Sequence, residues 1–543
     1  MVESIFKARL VRTMNPAQPV ATHVAVRDGS IVEVGGDELL TRWPSARRDD
    51  RFMDAVLLPG FVEGHVHADA AGMWLHSYCG SSPRVAPDGR MAAAVTTIDA
   101  VVERLSADAR SRANGADSTL LGWGFDPMFC ERPLTRHDLD RVPTRGSVLV
   151  VNASGHIVYA NTEALRRCDL LPPSAVHEGV PLASDGLPTG ELRGAPVTRP
   201  VTTRLGVIET LLGVNEQAVR GFGRMCVRAG VTTATDLASV MTPPVLDALR
   251  VVTAEADFPC RLVPAVLVGA STPAQMVERA LELRAMSHER LFLGAIKLVI
   301  DGSIQGFTAR LRSGRYVNGA PNGLWYMAPE ALDAVLEAAL RAGVQVHAHT
   351  NGDQASALVL DRLAHALGKQ PAPEHRTMLQ HAQLMDEALL REAARLGAGV
   401  NLFVNHIYHW GDEHATLTVG EAMAERMDAC GTAERVGVPW SMHSDEPVTP
   451  MAPLFSAWCA VNRLTRTGRV LGRGECVSTE AAVRAITLGG AWTLKLDHRL
   501  GSIRPGRYAD FAVLEDDPLA VPPQALKDIG IRGTVLSGRF QAA

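Results

Sequence analysis

The sequence lacks the features that would place it outside the ordinary globular proteins. Its eight cysteines are scattered and none forms a C-x-x-C pair, which argues against a zinc ribbon, a dithiol redox site or a disulfide-stapled domain. Because no run reaches the roughly 18 apolar residues of a membrane span, we expect no membrane segment. A net charge of −5 without a long basic run indicates neither nucleic acid nor an anionic membrane as a partner.

The N-terminal stretch also lacks the pattern of an export signal. MVESIFKARLVRTMNP carries charges where a signal peptide needs its apolar region, so we expect a cytoplasmic protein whose cysteines are buried free thiols. Hydrophobic residues make up 46% and charged residues 21%, which is ordinary globular composition and excludes a disordered chain. The length predicts more than one structural unit, because a β/α barrel alone uses about 250 residues.

Both ends of the chain have the pattern of β-strands. SIFKARLVRT, THVAVRDGSIVEVGG and DAVLLPG near the N-terminus have alternating or β-branched apolar positions, broken by Asp-Gly, Gly-Gly and Pro-Gly turns. Near the C-terminus, RPGRYADFAVL and GTVLSGRF have the same character. We therefore predict one small β-sandwich domain assembled from residues 1–58 and 500–543.

The middle of the chain alternates between helical and strand patterns. Residues 329–343 and 386–397 have apolar residues spaced three and four apart, and each is followed by a short apolar run, VQVHAH or GVNLFV. This order is typical of parallel β/α units, so we predict a distorted TIM-like (β/α)8 barrel over residues 59–499. The strands that can be recognised are Leu58–His67, Val231–Asp236, Ala295–Ile300, Val344–His349, Thr377–His381, Gly399–Val404 and Trp440–Asp445, one fewer than a closed barrel requires.

Residues from about 80 to 225 are less regular and rich in Gly, Pro and Arg. The segment contains GWGFDP, VVNASGHIVYANTEAL and DGLPTGELRG, and the helical pattern of residues 214–230 leads from it back to the barrel. We interpret it as an insertion that covers the mouth of the barrel and takes part in substrate specificity.

A His-x-His pair follows the first predicted barrel strand. In PGFVEGHVHADAAG, His65 and His67 are two residues apart, so their side chains leave an extended strand on the same side. Two converging imidazoles form half of a site for zinc or a similar divalent ion. Two surface histidines are the alternative, but the position behind an apolar strand and a Pro-Gly turn favours metal binding.

Other predicted strands end in the same types of residue. His349 lies in VQVHAHT, His381 lies in TMLQHAQ, and Asp445 in WSMHSDEP follows an apolar segment. Active sites of β/α barrels gather at this carboxyl end, with ligands from several strands. A single such histidine is more often a hydrogen-bonded structural residue, whereas several strands that end with His or Asp indicate a metal site.

Lys297 in GAIKLVIDGS lies on a predicted buried strand, where an unpaired charge is costly. One interpretation is a salt bridge, with Asp301 as the candidate partner. The other is carboxylation of its amine by CO2, which would create an anion able to bridge two metal ions. The pattern of residues is compatible with both interpretations.

The order of these motifs resembles the amidohydrolase superfamily. PGFVEGHVH, NASGHIVYAN, AIKLVIDGSIQG, HAHTNGDQA, LQHAQL and HSDEP carry the resemblance, together with LGSIRPGRYADFAVL near the C-terminus. The similarity is greatest to the family 3 branch, which includes N-substituted formamide deformylases, and it covers nearly the whole chain. HTNGD and HSDEP depart from the usual His-Ala-Ile-Gly-Asp and Gly-Ser-Asp-Ala-Pro, and place Asn351 and Glu446 beside the ligand residues.

The resemblance implies a site for two divalent ions, usually zinc. His65 and His67 would bind the first ion with Asp445, and two further histidines would bind the second. Lys297, as a carboxylysine, would bridge the two ions. A single ion and another divalent metal stay open as alternatives. The full set of implied ligands is His65, His67, Lys297, His349, His381 and Asp445.

These residues support a hydrolytic mechanism. Water held between two cations loses a proton near neutral pH and becomes a nucleophile, and one metal polarises the carbonyl. Asp445 would take the proton of the water and deliver one to the leaving amine. His156 in NASGHIVYAN is the candidate donor to the developing oxyanion, with Asn161 as a helper. The alternative for His156 is a loop histidine bonded to backbone.

Two further positions are candidates for contact with the substrate. NHIYHWGDEH, which follows GVNLFV, brings histidines, a tryptophan and acidic residues onto one barrel loop. We predict that His406 lines the substrate pocket, and the other residues either line it too or form a solvated lid. Trp123 is a candidate apolar wall of the pocket, with packing inside the fold as the alternative.

The leading hypothesis is hydrolysis of a C–N bond in an amide, a formamide or another N-acyl amine, with a small molecule as the substrate. Deamination, or opening of a cyclic amide or ester, uses the same chemistry. A carboxylysine favours amide or ester cleavage, because mononuclear deaminase sites lack such a bridge. A third hypothesis is a non-catalytic binding protein, which the presence of every implied ligand disfavours. A homodimer is the hypothesis for the assembly.

Overall fold

Both ends of the chain meet in one seven-stranded sheet. The computed structural model describes residues 3–111, 119–130, 132–171, 177–207, 214–267 and 271–543. Within it, the strand Phe511–Leu514 near the C-terminus pairs antiparallel with Arg47–Pro59 near the N-terminus, as the β-rich ends predict. In sheet order the strands are Arg539–Ala542, Ile531–Leu536, Phe511–Leu514, Arg47–Pro59, Ser4–Arg12, Val20–Arg27 and Ser30–Gly35.

The central element is an eight-stranded sheet in which every paired strand runs parallel. Helices alternate with its strands, which confirms the predicted TIM-like architecture. The strands in chain order, from the first to the eighth barrel strand, are Phe61–Glu63, Val231–Ser239, Arg261–Leu267, Ala295–Val299, Val346–Thr350, Met378–His381, Gly399–Leu402 and Trp440–Met442.

The first and eighth barrel strands stand at the two ends of the sheet order, and backbone bonds beyond their carboxyl ends join them. The N–H of Asp445 donates to the carbonyl of His65 at 3.1 Å, and the N–H of His67 donates to the carbonyl of Glu446 at 3.0 Å. The circle of strands is therefore completed by the segments that carry predicted metal ligands. This ties the geometry of the site to the integrity of the barrel.

The third barrel strand, Arg261–Leu267, is the one that the sequence pattern does not reveal. Pro264 lies in its middle, and proline inside an apolar run argues against a strand because it lacks a backbone N–H. The strand pairs in parallel with the strands on both sides, with Pro264 opposite Asp236 in the register. Tertiary pairing thus outweighs the local signal.

A close approach fixes the junction between the terminal sheet and the barrel. Gly60 lies between Arg47–Pro59 and Phe61–Glu63, and a Cβ atom on it would lie only 1.9 Å from Thr232 Oγ1. Only glycine allows the first barrel strand to lie this close to the second. The Pro-Gly pair before the His-x-His motif is therefore a packing requirement.

The predicted barrel helices are present with their expected ends. Asp386 accepts a hydrogen bond from the N–H of Leu389 at the start of Glu387–Leu396, and Gly397 ends that helix at φ 75°. The helices of the barrel and its loops are Glu216–Arg228, Pro243–Ala254, Pro273–Arg284, Pro329–Ala342, Asp353–Lys369, Glu387–Leu396, Asn405–Glu413, Glu421–Ala424, Cys430–Val436, Pro453–Asn462, Thr479–Arg484 and Gly490–Thr493.

The predicted insertion has a sheet and an apolar core of its own. The contacts that join it to the barrel mouth include a hydrogen bond from Arg84 Nη2 to Glu446 Oε2 at 2.6 Å and one from Trp410 Nε1 to Asp126 Oδ2 at 2.7 Å. Its five-stranded sheet consists of Ser77–Tyr78, Leu120–Phe125, Val148–Asn152, Ile157–Ala160 and Glu191–Arg193. Helices in and before this segment are Glu38–Arg42, Ala70–Met73, Ile98–Ser111, Arg136–Leu139, Thr162–Arg167 and Ala195–Arg204.

All eight cysteines are free thiols, as expected, and five of them are buried. In the part of the chain that the structure describes, each helix is too short or too polar to cross a lipid bilayer.

Candidate metal centre

Three of the predicted ligands converge where the first and eighth barrel strands end. His65 and His67 follow Phe61–Glu63, and Asp445 follows Trp440–Met442. Asp445 Oδ1 lies 3.2 Å from His67 Nε2 and 3.6 Å from His65 Nε2. One ligand atom from each of the three residues lies within 4.8 Å of the other two. Two imidazoles and a carboxylate at this spacing form a donor set that suits zinc and similar divalent ions.

Asp445 is ionised in this setting although it is buried. Burial alone would raise the pKa of its carboxyl, but the hydrogen bond from His67 and the charges of His67, His443 and Lys297 outweigh burial and hold the pKa below its usual value. The pKa of His67 is correspondingly raised, since Asp445 outweighs the effect of burial. Asp445 is therefore a carboxylate that can ligate a metal or accept a proton.

Further histidines extend the cluster to one side. The ring of His381 lies 4.5 Å from that of His65 and 4.4 Å from that of His349, measured between centroids. His381 Nδ1 is 3.8 Å from Asp445 Oδ2 and 3.1 Å from His443 Nε2. The structure thus brings the predicted histidines together and adds His443, which the sequence analysis did not select.

Lys297 points into the same cluster from the fourth barrel strand. Its Nζ lies 3.3 Å from His65 Nε2, and burial lowers the pKa of the amine to about 7, although Asp445 acts to raise it. Lys297 forms no ion pair with Asp301 in the described structure. Asp301 instead accepts hydrogen bonds from three backbone N–H groups of the neighbouring loops. The candidate salt bridge between Lys297 and Asp301 is therefore wrong.

His156 lies on the insertion, in the turn between Val148–Asn152 and Ile157–Ala160, and faces the cluster. Its ring centroid is 5.2 Å from that of His349 and 5.6 Å from that of Tyr326. Burial and the neighbouring His349 lower the pKa of His156 to about 3, so its ring is neutral. A neutral imidazole at this place has one N–H that it can donate.

Asn161 has a structural position. Its Oδ1 accepts hydrogen bonds from the N–H groups of Val148 at 3.0 Å and Ala164 at 2.9 Å, and its Nδ2 donates to the carbonyl of Gly146 at 3.2 Å. It caps the helix Thr162–Arg167 and links it to the sheet of the insertion. Its amide thus serves the backbone of the insertion, and we do not assign it to the substrate.

Trp123 is packed inside the insertion. Its indole is 1% exposed, and its ring lies 5.0 Å from Trp74 and 4.7 Å from Tyr78 between centroids. The guanidinium of Arg84 lies 5.5 Å from its ring centroid, between the indole and Glu446 of the barrel loop. This placement corresponds to the packing alternative.

His406 lies one aromatic ring away from the cluster. Phe403 packs between His406 and His443 of the cluster, with its ring centroid 4.5 Å from that of His406 and 4.8 Å from that of His443. His406 Nδ1 lies 3.0 Å from His414 Nε2, and His414 Nδ1 lies 2.9 Å from Thr418 Oγ1. The predicted pocket residue is thus held in place by a buried chain of hydrogen bonds.

A buried amide orients the first predicted ligand and was not found from the sequence. Gln380 Oε1 accepts hydrogen bonds from His65 Nδ1 at 2.9 Å and from Asn401 Nδ2 at 2.8 Å, and Gln380 Nε2 donates to His347 Nδ1 at 2.8 Å. This arrangement puts the proton of His65 on Nδ1 and leaves the Nε2 lone pair for a metal. The signal was the polar residue next to His381 in an otherwise apolar strand.

The two polar departures from the family pattern have defined partners. Glu446 Oε2 pairs with Arg84 at 2.6 Å and accepts the N–H of Met451 at 2.7 Å. Asn351 Nδ2 donates to the carbonyl of Gly302 at 2.9 Å and lies 3.4 Å from His349 Nε2. Glu446 therefore anchors the insertion to the ligand loop, and Asn351 binds a predicted metal ligand directly.

With this geometry established, comparisons with known proteins agree on the family. The sequence pattern of the amidohydrolase family matches residues 53–541, and the chain belongs to this family. Together with the barrel and its His/Asp cluster, this makes the protein a hydrolase of the metal-dependent amidohydrolase superfamily.

Individual relatives share the full length of the chain. YtcJ of Bacillus subtilis, named as an amidohydrolase, is 26% identical over 99% of each chain. The N-substituted formamide deformylase of Arthrobacter pascens is 25% identical over 97% of this chain and 96% of its own. Among solved structures, an uncharacterised metal-dependent hydrolase of Pyrococcus horikoshii has a TM-score of 0.72 at 20% identity, over 96% of this chain and 99% of its own.

Proposed function

We propose that the protein hydrolyses a C–N bond in an amide, a formamide or another N-acyl amine of small size. The observation that carries the proposal is the ionised carboxylate of Asp445 placed between imidazoles at the mouth of the barrel. The deformylase of Arthrobacter pascens, which matches almost the whole chain, supports this class of bond. The family follows from the match of the family model to the chain. The class of bond is our proposal, supported by the chemistry of the site and by this relative.

The residues present fit divalent metal ions, and we propose two Zn²⁺. His65, His67 and Asp445 would hold one ion, and His381 would help to hold a second; the family resemblance adds His349 there. When bound, the metal lowers the pKa of a water molecule to near neutral and polarises the carbonyl of the substrate. Asp445 Oδ1 is buried 3.2 Å from His67 Nε2 and 3.6 Å from His65 Nε2, a carboxylate between two imidazoles that agrees with a cation at this place.

Lys297 is proposed to carry a carboxyl group on its amine. The neutral amine nitrogen would attack the carbon of CO2, forming an N–C bond and releasing one proton. The low pKa of about 7 keeps a large fraction of the amine neutral, and the position of Nζ 3.3 Å from His65 Nε2 puts the product between the two groups of ligands. A carbamate there would be an anion shared by both ions.

The protein side chains would then move the protons. Asp445 accepts the proton of the attacking water at its carboxylate and returns one to the leaving nitrogen. His156, neutral and facing the cluster from the insertion, donates its N–H to the oxygen on which negative charge develops. The insertion also limits access of water, because it lies against the barrel loop through Arg84 and Glu446.

A cavity of about 260 Å³ between the insertion and the barrel loops is the proposed place for the rest of the substrate. Pro447 and Val448 of its wall belong to the loop that follows Asp445, so the cavity borders the loop that carries this ligand. Its other walls combine aromatic and basic side chains with polar ones such as Ser82 and Asp126, and the aromatic walls favour a substrate with an apolar or aromatic substituent. These walls include Tyr78, Arg84, Phe129, Tyr408, Trp410 and Arg466.

Metal content and turnover test the proposal together. Protein purified without chelators is analysed for metals and then assayed for amine release from N-formyl and N-acyl amines. We expect about two zinc ions per chain and turnover that is lost in the His65→Ala/His67→Ala double variant. A fully active double variant would contradict the metal site. A single ion with release of ammonia from cyclic amidines would instead indicate a deaminase, and protein that takes up no metal would indicate a binding protein.

Lys297→Ala tests the bridge separately. We expect this variant to lose metal and activity, and to regain part of both with a short carboxylic acid that takes the place of the carbamate. In the unchanged protein, ¹³C-labelled bicarbonate should give a carbamate signal by nuclear magnetic resonance. Wild-type metal content in Lys297→Ala would rule out the bridging role.

A further inference from the structure

The cavity between the insertion and the barrel loops has in its wall a guanidinium that no carboxylate neutralises. In the part of the chain that the structure describes, Arg466 forms no ion pair, whereas the other arginine of the wall, Arg84, is paired with Glu446. The buried Asp126 of the same wall accepts a backbone N–H at 2.9 Å with one oxygen and an indole N–H at 2.7 Å with the other. Its carboxylate is thus directed at these donors, and the guanidinium of Arg466 is left to bind an anion.

Two contacts hold Arg466 in an orientation that leaves most of its donors available. Its guanidinium carbon lies over the ring of Phe129, 3.8 Å from the centroid, and its Nη2 donates to the carbonyl of His409 at 2.8 Å. A guanidinium carries N–H donors along its whole edge, so one such bond leaves a fork of donors for the two oxygens of a carboxylate. The side chain is exposed, and an anion that enters from solvent can therefore reach it.

The ring of His409 offers a second donor in the same wall. Its Nε2 is buried and has no hydrogen-bond partner among the described residues. Burial and the charges of Arg466 and Arg84 lower the pKa of His409 to about 3, so the ring is neutral and has one N–H to donate. An unpartnered buried nitrogen is costly, and an anion beside Arg466 would accept a hydrogen bond from the tautomer protonated at Nε2.

One wall of the cavity lies close to the proposed catalytic carboxylate. Pro447 of this wall is two residues after Asp445, so the Cα atoms of the two residues are at most about 7 Å apart. That distance is within the length of a small molecule. Aromatic side chains of the wall, among them Tyr408 and Trp410, would contact the apolar part of such a molecule.

We propose that Arg466, with His409 as a second donor, binds a carboxylate of the substrate, and that the substrate is an N-acyl amine with this carboxylate on an aromatic or apolar substituent. The inference rests on the proposed hydrolysis of a C–N bond and names the class of its substrate. Arg466 contacts the part of the substrate that is remote from the reacting bond, so it determines specificity. Such binding acts equally on the ground state and the transition state, and it therefore lowers KM and leaves kcat nearly unchanged.

Two pairs of probes that differ only at a carboxylate test the inference. Hydrolysis of 4-(2-formamidoethyl)benzoate is compared with that of N-(2-phenylethyl)formamide, and calorimetry compares the binding of 4-ethylbenzoate with that of 4-ethylbenzamide. Zinc-loaded protein is used unchanged, as Arg466→Met and as Arg466→Lys, which keeps the charge without the fork of donors. Arg473→Met, at an exposed position outside the cavity wall, is the control, and circular dichroism confirms each fold.

We expect the unchanged protein and Arg473→Met to prefer the formamide with the carboxylate by about 10- to 100-fold in kcat/KM. Arg466→Met should lose this preference through KM, and Arg466→Lys should keep part of it. If the unchanged protein hydrolyses both formamides equally well, or if Arg466→Met keeps the preference, the inference is overturned while the proposed hydrolysis stands. If neither formamide is hydrolysed, the proposed class of bond is wrong and calorimetry decides the inference. Weaker binding of 4-ethylbenzoate to Arg466→Met would then support the carboxylate site, and equal binding would overturn it, because the carboxylate would bind elsewhere.

Discussion

At the scale of single residues, the site depends on the hydrogen-bond partner of each ring nitrogen of its histidines. His65 donates from Nδ1 to Gln380 and keeps Nε2 for the cluster. In His349 it is Nε2 that lies near a neighbour, 3.4 Å from the Asn351 amide nitrogen, while Nδ1 has no hydrogen-bond partner among the described residues. Such partners decide which tautomer a histidine adopts, and therefore which ring can bind a metal. The sequence can show that a histidine ends a strand, but it does not show this pairing.

The orientation of His65 by Gln380 can be tested by substitution. Gln380→Ala removes the acceptor for His65 Nδ1 and frees the ring to rotate or to change tautomer. We expect zinc affinity to fall by about 10- to 100-fold, measured by competition with a coloured chelator. Gln345→Ala is the matched control, since that buried amide binds backbone carbonyls at the other end of the barrel. Equal affinity in both variants would show that Gln380 has no orienting role.

The proton-transfer role of Asp445 gives a second prediction at this scale. Asp445→Asn keeps the shape of the side chain but cannot accept a proton, so we expect kcat to fall at least about 100-fold with a smaller change in KM. Because the pKa of Asp445 is below its usual value, the unchanged enzyme should have no acidic limb from this group above about pH 4. Asp361→Asn on an exposed helix face should leave both parameters unchanged.

At the scale of elements, periodicity predicted most of the barrel and failed at identifiable places. Helix Glu387–Leu396 was clear because a capping aspartate and a terminal glycine frame its apolar face. Arg261–Leu267 was missed because Pro264 interrupts its pattern. Asn161 and Trp123 lie in the insertion, and their place in the sequence motifs made them candidates for contact with the substrate. The sequence could not show that both side chains face the interior of the insertion.

The junction before the metal ligands gives a prediction for an element. In Gly60→Ala the added methyl group would overlap Thr232, and the first barrel strand would have to move away from the second. We expect a loss of about 1–3 kcal/mol in the free energy of unfolding, measured by chemical denaturation, together with weaker metal binding. Gly474→Ala, where nothing lies within 4 Å of the new atom, is the control. A stability equal to that control would mean that the strands can separate freely.

At the scale of the whole molecule, the active site is a junction between three parts of the chain. The terminal sheet leads through Gly60 into the strand that carries His65 and His67. Backbone hydrogen bonds of Asp445 and His67 join the first barrel strand to the eighth. The insertion places the ring of His156 beside that of His349 in the cluster. Long-range pairing of this kind has no local signature, which is why the sequence predicted the parts of the site but not their contacts.

The ion pair of Arg84 with Glu446 is the contact on which that assembly depends most directly. Both side chains are about 95% or more buried, and the pair joins the insertion to the loop that follows Asp445. Arg84→Met leaves Glu446 charged and buried without its partner, so we expect a loss of about 3–5 kcal/mol and faster proteolysis within the insertion. Activity should fall mainly through KM, because the wall of the 260 Å³ cavity is displaced while the ligands keep their own contacts.

A matched substitution separates this effect from simple loss of charge. Arg90 pairs with Asp88 on the exposed surface of the same insertion, and Arg90→Met should change stability by less than about 1 kcal/mol. If Arg84→Met and Arg90→Met behave alike in denaturation, proteolysis and KM, the buried pair does not hold the insertion to the barrel. If only Arg84→Met raises KM while its zinc content stays that of the unchanged protein, the insertion forms the substrate site and the barrel alone holds the metal.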